Sequence, residues 1–248
     1  MKVAIIGGSG VKDSDLLKTK AASLETPFGE VTFYHGLFRG EEVIFLPRHN
    51  KEHTLPPHLI NYRANIRALK DLGVKRVLAT SAVGALRADL PPGSLVLLNQ
   101  FLDFTKRRAL SFDETEVKHL DFSEPYCPEI RQILKEELAL LNLESQEGCY
   151  VCTEGPRYET PAEVKMFAQL GGDVVGMTNI PEVTLAKEAG ICYACLATVT
   201  NFGAGIQKKP LKHEEVIEVM NANASNLRRL LEKVIPRLQT DPHKCTCF

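Results

Sequence analysis

Val3-Ala-Ile-Ile-Gly-Gly-Ser-Gly10 places four apolar residues directly before a glycine-rich turn. A short apolar, β-branched run bounded by glycines reads as a strand buried on both faces, the kind a parallel sheet needs. The same pattern recurs at Val43–Leu46, Val77–Leu78, Leu95–Leu98, Tyr150-Val151, Val174-Val175 and Ala194–Val199. Between these runs the apolar period changes from strand to helix. Leu59, Tyr62, Ile66, Leu69 and Leu72 stop at Gly73; Ile130, Ile133, Leu134, Leu138 and Leu141 follow Pro128; Val216, Val219, Met220, Leu227, Leu230, Leu231 and Val234 end before Pro236. Alternating strands and helices predict an α/β fold with a mixed, mostly parallel central sheet and helices on both faces. Without repeats or a Pro/Ser-rich linker, residues 1–238 read as one domain and 239–248 as a polar tail.

Composition limits the partners. Of 248 residues, 44% are hydrophobic and 25% charged, as in ordinary globular proteins, and 30 Lys+Arg against 31 Asp+Glu give a net charge of −1. Nucleic acid and anionic membranes both call for basic excess, so neither is expected as a partner. No apolar run is long enough for a signal core or a membrane span, which predicts a cytoplasmic protein. Among the seven cysteines, Cys149-x-x-Cys152 and Cys192-x-x-Cys195 have zinc-like spacing. Both lie in strand-like runs, where residues three apart face opposite ways and cannot share a metal, so no metal site is expected. Cys245-Thr-Cys247 is exposed near the end, open to bridging within itself, to pairing with an internal cysteine, or to remaining as thiols.

In such sheets ligands gather at the carboxyl ends of strands. Gly7-Gly8-Ser9-Gly10 offers backbone N–H groups and a hydroxyl to an anion, but the third small residue of a dinucleotide fingerprint is missing. A small phosphate fits better than a dinucleotide, which argues against an NAD-dependent enzyme. The other strand ends carry Arg48-His49 with His53 beyond, Thr80-Ser81-Ala82, Met177-Thr178, and Thr200-Asn201. Arginine forks onto phosphate oxygens, and an asparagine can address two adjacent atoms of a heterocycle. In Glu154-Gly-Pro-Arg-Tyr-Glu-Thr-Pro-Ala-Glu163, Thr160 reads as an N-cap, Pro161 as the first helical residue and Glu163 as the third, a capping box. It mounts Tyr158, a ring that can stack, beside Glu159, a carboxylate that can accept N–H donors. No nucleophile–base set is apparent: Ser9 lacks a base, and cysteines inside strands should be inert.

With these residues in hand the chain resembles the trimeric purine nucleoside phosphorylase and methylthioadenosine phosphorylase family. The carriers are Ile5-Ile-Gly-Gly-Ser-Gly10, Arg48-His49-x3-His53-Thr54, Asn61-Tyr-x-Ala-Asn65, Glu154-Gly-Pro-Arg157, Met177-Thr178-x2-Pro181-Glu182-Val183 and Ala186-Lys-Glu-Ala-Gly-Ile-Cys-Tyr193, spread over nearly the whole chain. The resemblance implies the nucleoside phosphorylase fold and phosphorolysis of a nucleoside to free purine and ribose 1-phosphate, with inorganic phosphate as co-substrate and no other cofactor. It implies that Ser9, Arg48, His49, Ser81, Ala82 (by its backbone) and Thr178 hold phosphate. Tyr158, Glu159 and Asn201 would bind the purine, and Met177, His213, His53 and a neighbouring subunit's His119 the sugar. Asn201 and His49 would be the catalytic pair, and the assembly a homotrimer or a dimer of trimers.

Three positions resemble the 6-oxopurine branch rather than the methylthioadenosine branch. Asn201 stands where the latter has Asp, which suits a 6-amino donor; Asn can donate to a 6-oxo group and to N7. Glu159 stands where the latter has a small hydroxyl residue; a carboxylate accepts from the N1–H of a 6-oxopurine and repels the bare N1 of adenine. His213 stands where the latter has an apolar residue, and resembles a His that bonds a 5′-hydroxyl. Inosine and guanosine are therefore the expected substrates, with methylthioinosine or methylthioadenosine as the alternative.

Overall fold

The computed structural model describes residues 1–7, 19–38, 40–50, 54–113, 115, 119–207, 213–240, 245 and 247. The strands are β1 (Val3–Gly7), β2 (Thr19–Thr26), β3 (Gly29–Phe38), β4 (Glu41–Pro47), β5 (Arg76–Ala85), β6 (Leu95–Phe104), β7 (Ser145–Thr153), β8 (Val174–Gly176) and β9 (Cys192–Phe202). The helices are α1 (Tyr62–Asp71), α2 (Pro128–Leu140), α3 (Pro161–Gln169), α4 (Asn179–Glu188) and α5 (His213–Thr240).

The sheet runs β2-β3-β4-β1-β5-β8-β7-β6-β9, and β9 returns to pair with β5, so its second half closes on itself. Among the described residues five pairings are parallel and four antiparallel. The expected buried runs are all there. Along β1 the residues alternate between two cores: Ala4 and Ile6 pack with residues of α1 and α4, while Val3 and Ile5 pack with residues of α2 and α5. Burial of both faces is why this strand is apolar at every position.

Two regions depart from the sequence pattern. The β2–β3 hairpin carries no continuous apolar run, because β2 is a half-solvated edge whose Ala22 and Leu24 alternate with exposed residues. Helix α4 shows no amphipathic period because Ile180, Glu182, Val183, Leu185, Ala186 and Lys187 are all buried, leaving no solvated stripe.

Helix α5 corrects an expectation: it does not end before Pro236 but runs through it to Thr240. A proline inside a helix forfeits a backbone bond. Here the extra turn is held by its surroundings. Ile235 and Leu238 are fully buried. The Leu238 carbonyl accepts from Arg76 at 2.8 Å, and the Gln239 carbonyl from the N-terminal ammonium at 3.1 Å. No helix among the described residues is long and apolar enough to cross a membrane.

Candidate active site

The carboxyl ends of β4, β5, β8 and β9 converge on a cavity of about 290 Å³. Of the residues singled out from sequence, Arg48, His49, Ser81, Ala82, Tyr158, Glu159, Met177, Thr178 and Asn201 all line it. Ser9 and His53 lie outside the described residues, as does the side chain of His213, whose backbone opens α5. His119 is exposed and lines a different groove with Leu110, Leu120 and Thr184, so the cavity of its own chain does not include it.

Arg48 follows β4 and is 1% exposed. Its Nε and Nη2 donate to the two carboxylate oxygens of Glu182, each at 2.7 Å, and Nη1 donates to the Thr80 carbonyl at 2.9 Å. Burial opposes the charge, but the Glu182 carboxylate outweighs it and raises the guanidinium pKa well above its ordinary value. Three of five N–H groups are thereby fixed, and the fork is held rigid at the cavity wall. Glu182 in turn accepts from Tyr193 Oη at 2.7 Å; Tyr193 receives Asn179 Nδ2 at 3.3 Å, and Asn179 Oδ1 accepts from Tyr126 Oη at 2.6 Å. These partners are all buried, so the charge is matched entirely by protein groups.

His49 Nδ1 is 2.8 Å from the Leu55 carbonyl. A carbonyl only accepts, so Nδ1 carries the proton, and in the neutral ring Nε2 is an acceptor. Thr178 precedes α4 without using its hydroxyl as a cap. Its N–H donates to the buried Tyr150 hydroxyl at 3.1 Å, which leaves the Thr178 side chain on the cavity wall. Tyr150 reaches that point only because residue 176 is glycine: a Cβ there would lie 2.2 Å from the Tyr150 oxygen.

Asn201 is held by its neighbours at the end of β9. Its Nδ2 donates to the Phe202 carbonyl at 3.0 Å, and its Oδ1 accepts from Thr200 Oγ1 at 3.0 Å. These two bonds orient the amide and leave its second N–H for a ligand. The β5–β9 register shifts between Val83 and Gly84, and a Cβ on Gly84 would press on Asn201 Nδ2 at 3.1 Å. A bulge and a glycine thus make room for this side chain.

The capping box of α3 forms as expected: Glu163 N–H donates to Thr160 Oγ1 at 3.2 Å, and Thr160 N–H to Glu163 Oε2 at 2.8 Å. Arg157 binds the same carboxylate, and its hydrogen bonds with Thr160 behind them hold the Glu163 pKa down at about 2. This rigid start presents Tyr158 and Glu159 to the cavity. Burial pushes the Glu159 carboxyl up, opposed by Thr153 Oγ1 donating to Oε1 at 2.7 Å.

Three orienting residues have no site role assigned from sequence. Glu182 stands in the sequence within the Pro181-Glu182-Val183 motif that carries the family resemblance, with no role of its own assigned there. Thr153 is the last residue of β7, two positions beyond the Tyr150-Val151 run read from sequence. Arg108 follows β6 and donates to the carbonyls of Met177, Ile180 and Glu154 at 2.8, 2.6 and 2.8 Å, joining three segments around the cavity. Cys152 and Cys195 are fully buried, and desolvation pushes each thiol up to about 12, so neither is a nucleophile. The set offers a fixed cation, oriented hydroxyls, a stackable ring, and amide and carboxylate groups for a polar heterocycle.

Comparison with known proteins agrees with that chemistry. The profile of the phosphorylase superfamily matches residues 2–236. A probable 6-oxopurine nucleoside phosphorylase of Moorella thermoacetica is 52% identical over 100% of this chain and 96% of its own. The 6-oxopurine nucleoside phosphorylase of Pyrococcus furiosus is 47% identical over 99% and 96%. Among solved structures, the methylthioadenosine phosphorylase of Schistosoma mansoni in complex with adenine superposes with a TM-score of 0.93 at 35% identity, covering 98% of this chain and 93% of that one.

Proposed function

The chain belongs to the phosphorylase superfamily, and on that premise we propose that it is a pentosyltransferase, a purine nucleoside phosphorylase selective for the 6-oxopurine nucleosides inosine and guanosine. The observation that carries this reading is the pairing of two oriented purine readers in one cavity with a buried arginine. Asn201 has one N–H left after binding Phe202, and Glu159 has an oxygen left after accepting from Thr153.

The reaction follows from these roles. Phosphate binds against Arg48, Ser81, Thr178 and the β5 backbone at Ala82, with His49 Nε2 accepting a phosphate proton. Ser9 and, for the sugar, His53 and His213 belong to the same assignment. The purine packs on Tyr158, with its N1–H on Glu159 and its N7 on Asn201. As the C1′–N9 bond lengthens, the sugar gains oxocarbenium character and the purine gains negative charge. Asn201 stabilises that charge through N7, and a phosphate oxygen takes the vacated position on C1′. The departing purine anion takes up a proton from solvent, His49 returns to solvent the one that phosphate gave up, and purine and ribose 1-phosphate result; the steps reverse. Positioning and preorganised electrostatics supply the acceleration, with phosphate as co-substrate and no further cofactor in the chemistry.

His119 lies away from its own cavity, so we assign it to a neighbouring subunit's sugar pocket in a homotrimer or dimer of trimers. Sedimentation of an active monomer refutes that assignment. A second reading, cleavage of methylthioinosine or methylthioadenosine, is favoured by one contact: Val216 of α5 lines the cavity and could face an apolar 5′ substituent. A single panel decides, with inosine, guanosine, adenosine, methylthioadenosine and methylthioinosine assayed with and without phosphate. Phosphate-dependent turnover fastest on inosine and guanosine is expected; faster cleavage of methylthioadenosine or adenosine overturns the assignment.

A further inference from the structure

At the other end of β9 from Asn201, four cysteines meet. Cys127 is the N-cap of α2, Cys192 opens β9, and Cys245 and Cys247 come from the C-terminal tail. Their four sulfurs all lie within 4.8 Å of one another. The separations are 3.3 Å for Cys127–Cys245 and 3.6 Å for Cys192–Cys247. Four thiolates at about 2.3 Å from a tetrahedral zinc ion stand about 3.8 Å from each other. The cluster therefore has the dimensions of a four-sulfur zinc site and needs only small side-chain adjustments to become one.

The supports on the body side are rigid. Cys127 N–H donates to the Tyr193 carbonyl at 2.8 Å, and Cys192 N–H to the Lys75 carbonyl at 3.0 Å, so helix start and strand start are bonded to each other and to the β5 edge. Both side chains are buried, while the two tail cysteines are half-buried against the same apolar core. Cys192 faces that core and Cys195 the opposite one, so the Cys192-x2-Cys195 spacing cannot chelate, and the further ligands of Cys192 come from elsewhere in the chain. Cys127 caps a 13-residue helix, whose positive end offsets the negative charge of a Zn(Cys)4 unit.

We propose that Cys127, Cys192, Cys245 and Cys247 form a structural zinc site that fastens the C-terminal tail to the start of β9. Binding is a ligand exchange without redox change: four thiols lose their protons to solvent, and each sulfur donates a lone pair to Zn²⁺. A closed tetrahedral S4 set has no open position for substrate, which makes the site structural rather than catalytic. The nine residues from Cys192 to Asn201, at about 3.3 Å each, put it roughly 30 Å from the proposed chemistry.

The test uses the full chain. Elemental analysis of the purified protein should give about one zinc per chain, released as the four thiols are titrated with an organomercurial. The C245S/C247S variant should retain no zinc and melt at a lower temperature, with kcat/KM on inosine within about twofold of the parent, since the cluster is remote from the cavity. A variant ending at Thr240 serves as a second arm and should behave in the same way. Three outcomes overturn the proposal: a metal-free parent about 4 Da lighter before reduction, as two disulfides require; a metal-free parent with all cysteines as thiols; or zinc retained by C245S/C247S. Iron in place of zinc overturns the choice of metal.

Discussion

Asn201→Asp tests the substrate assignment at a single atom. In the parent, the Asn201 amide supplies two N–H groups, one to the Phe202 carbonyl at 3.0 Å and one left for the ligand, while its oxygen accepts from Thr200 at 3.0 Å. The variant replaces the nitrogen with oxygen 3.0 Å from a carbonyl oxygen, at a position only 8% exposed. Two acceptors then face each other in a poorly solvated place, so the new carboxyl has a raised pKa. When ionised it has no donor for N7 and repels the departing purine. When protonated it has one O–H to divide between Phe202 and N7, and leaving the carbonyl unpaired costs about 1–3 kcal/mol.

Loss of one preorganised donor to a developing anion is worth about 2.7–4 kcal/mol, so kcat/KM on inosine should fall about 10²–10³-fold at neutral pH. Adenosine responds differently, because its 6-amino group can donate to the new carboxylate. A charge-assisted bond of about 1.5–3 kcal/mol shifts the adenosine-to-inosine ratio by roughly 12–150-fold toward adenosine. The sign with pH also follows: the protonated form alone carries a donor, so residual inosine cleavage by the variant should rise as pH falls toward the raised pKa. The assay is initial-rate phosphorolysis of both nucleosides across pH. An inosine loss under about threefold, or an unchanged ratio, refutes the placement of Asn201 at N7 and position 6.

Further outcomes follow from the same geometry. Glu182→Ala strands Arg48 as a buried unpaired charge, a loss of about 3–5 kcal/mol, or roughly 6–20 °C in Tm for a chain of this size, readable by scanning calorimetry. A change under about 2 °C would contradict the role assigned to the pair. The raised Glu159 pKa sets an acid limb: the carboxyl must be ionised to accept N1–H, so kcat/KM on guanosine should decline as pH drops into a range above that of ordinary carboxylates. Glu159→Gln should remove that limb, and a limb that persists assigns it to another group. Gly176→Ala puts a methyl 2.2 Å from the Tyr150 oxygen, which displaces the support of Thr178; KM for phosphate should rise more than KM for inosine in steady-state assays.

The fold was legible wherever burial imposes a simple pattern. Strands covered on both faces must be apolar throughout, so β1, β4 and β9 announce themselves, and helices covered on one side show their stripe. The α3 start was legible atom by atom, because a capping box is a local contract between Thr160 and Glu163. Where the environment is uniform or split, the pattern vanishes: α4 is buried all round, and β2 has one wet face. Pro236 misled because the groups that hold the last turn of α5, Met1 and Arg76, lie far away in sequence.

The same rule separates the visible half of the site from the hidden half. Residues that meet a ligand stand at strand ends, where strand pattern gives way to hydroxyls, Arg, His or Asn, and that change of composition can be read. Residues that aim them need only be near in space. Glu182 is 134 positions from Arg48, and Tyr193 reaches it from the next strand. Yet the physics makes such partners obligatory: an arginine 1% exposed cannot remain charged without a buried acceptor pair. The four-cysteine cluster obeys this logic at the other edge of the sheet. Tested as a Cys-x2-Cys pair, its one member with that spacing, Cys192, fails, since strand geometry sends Cys192 and Cys195 to opposite faces. Assembled from three segments, four of the seven converge. Spacing along a chain detects only those sites whose ligands share one local element; a site built on a folded sheet must be sought among all the residues that the sheet brings to one end.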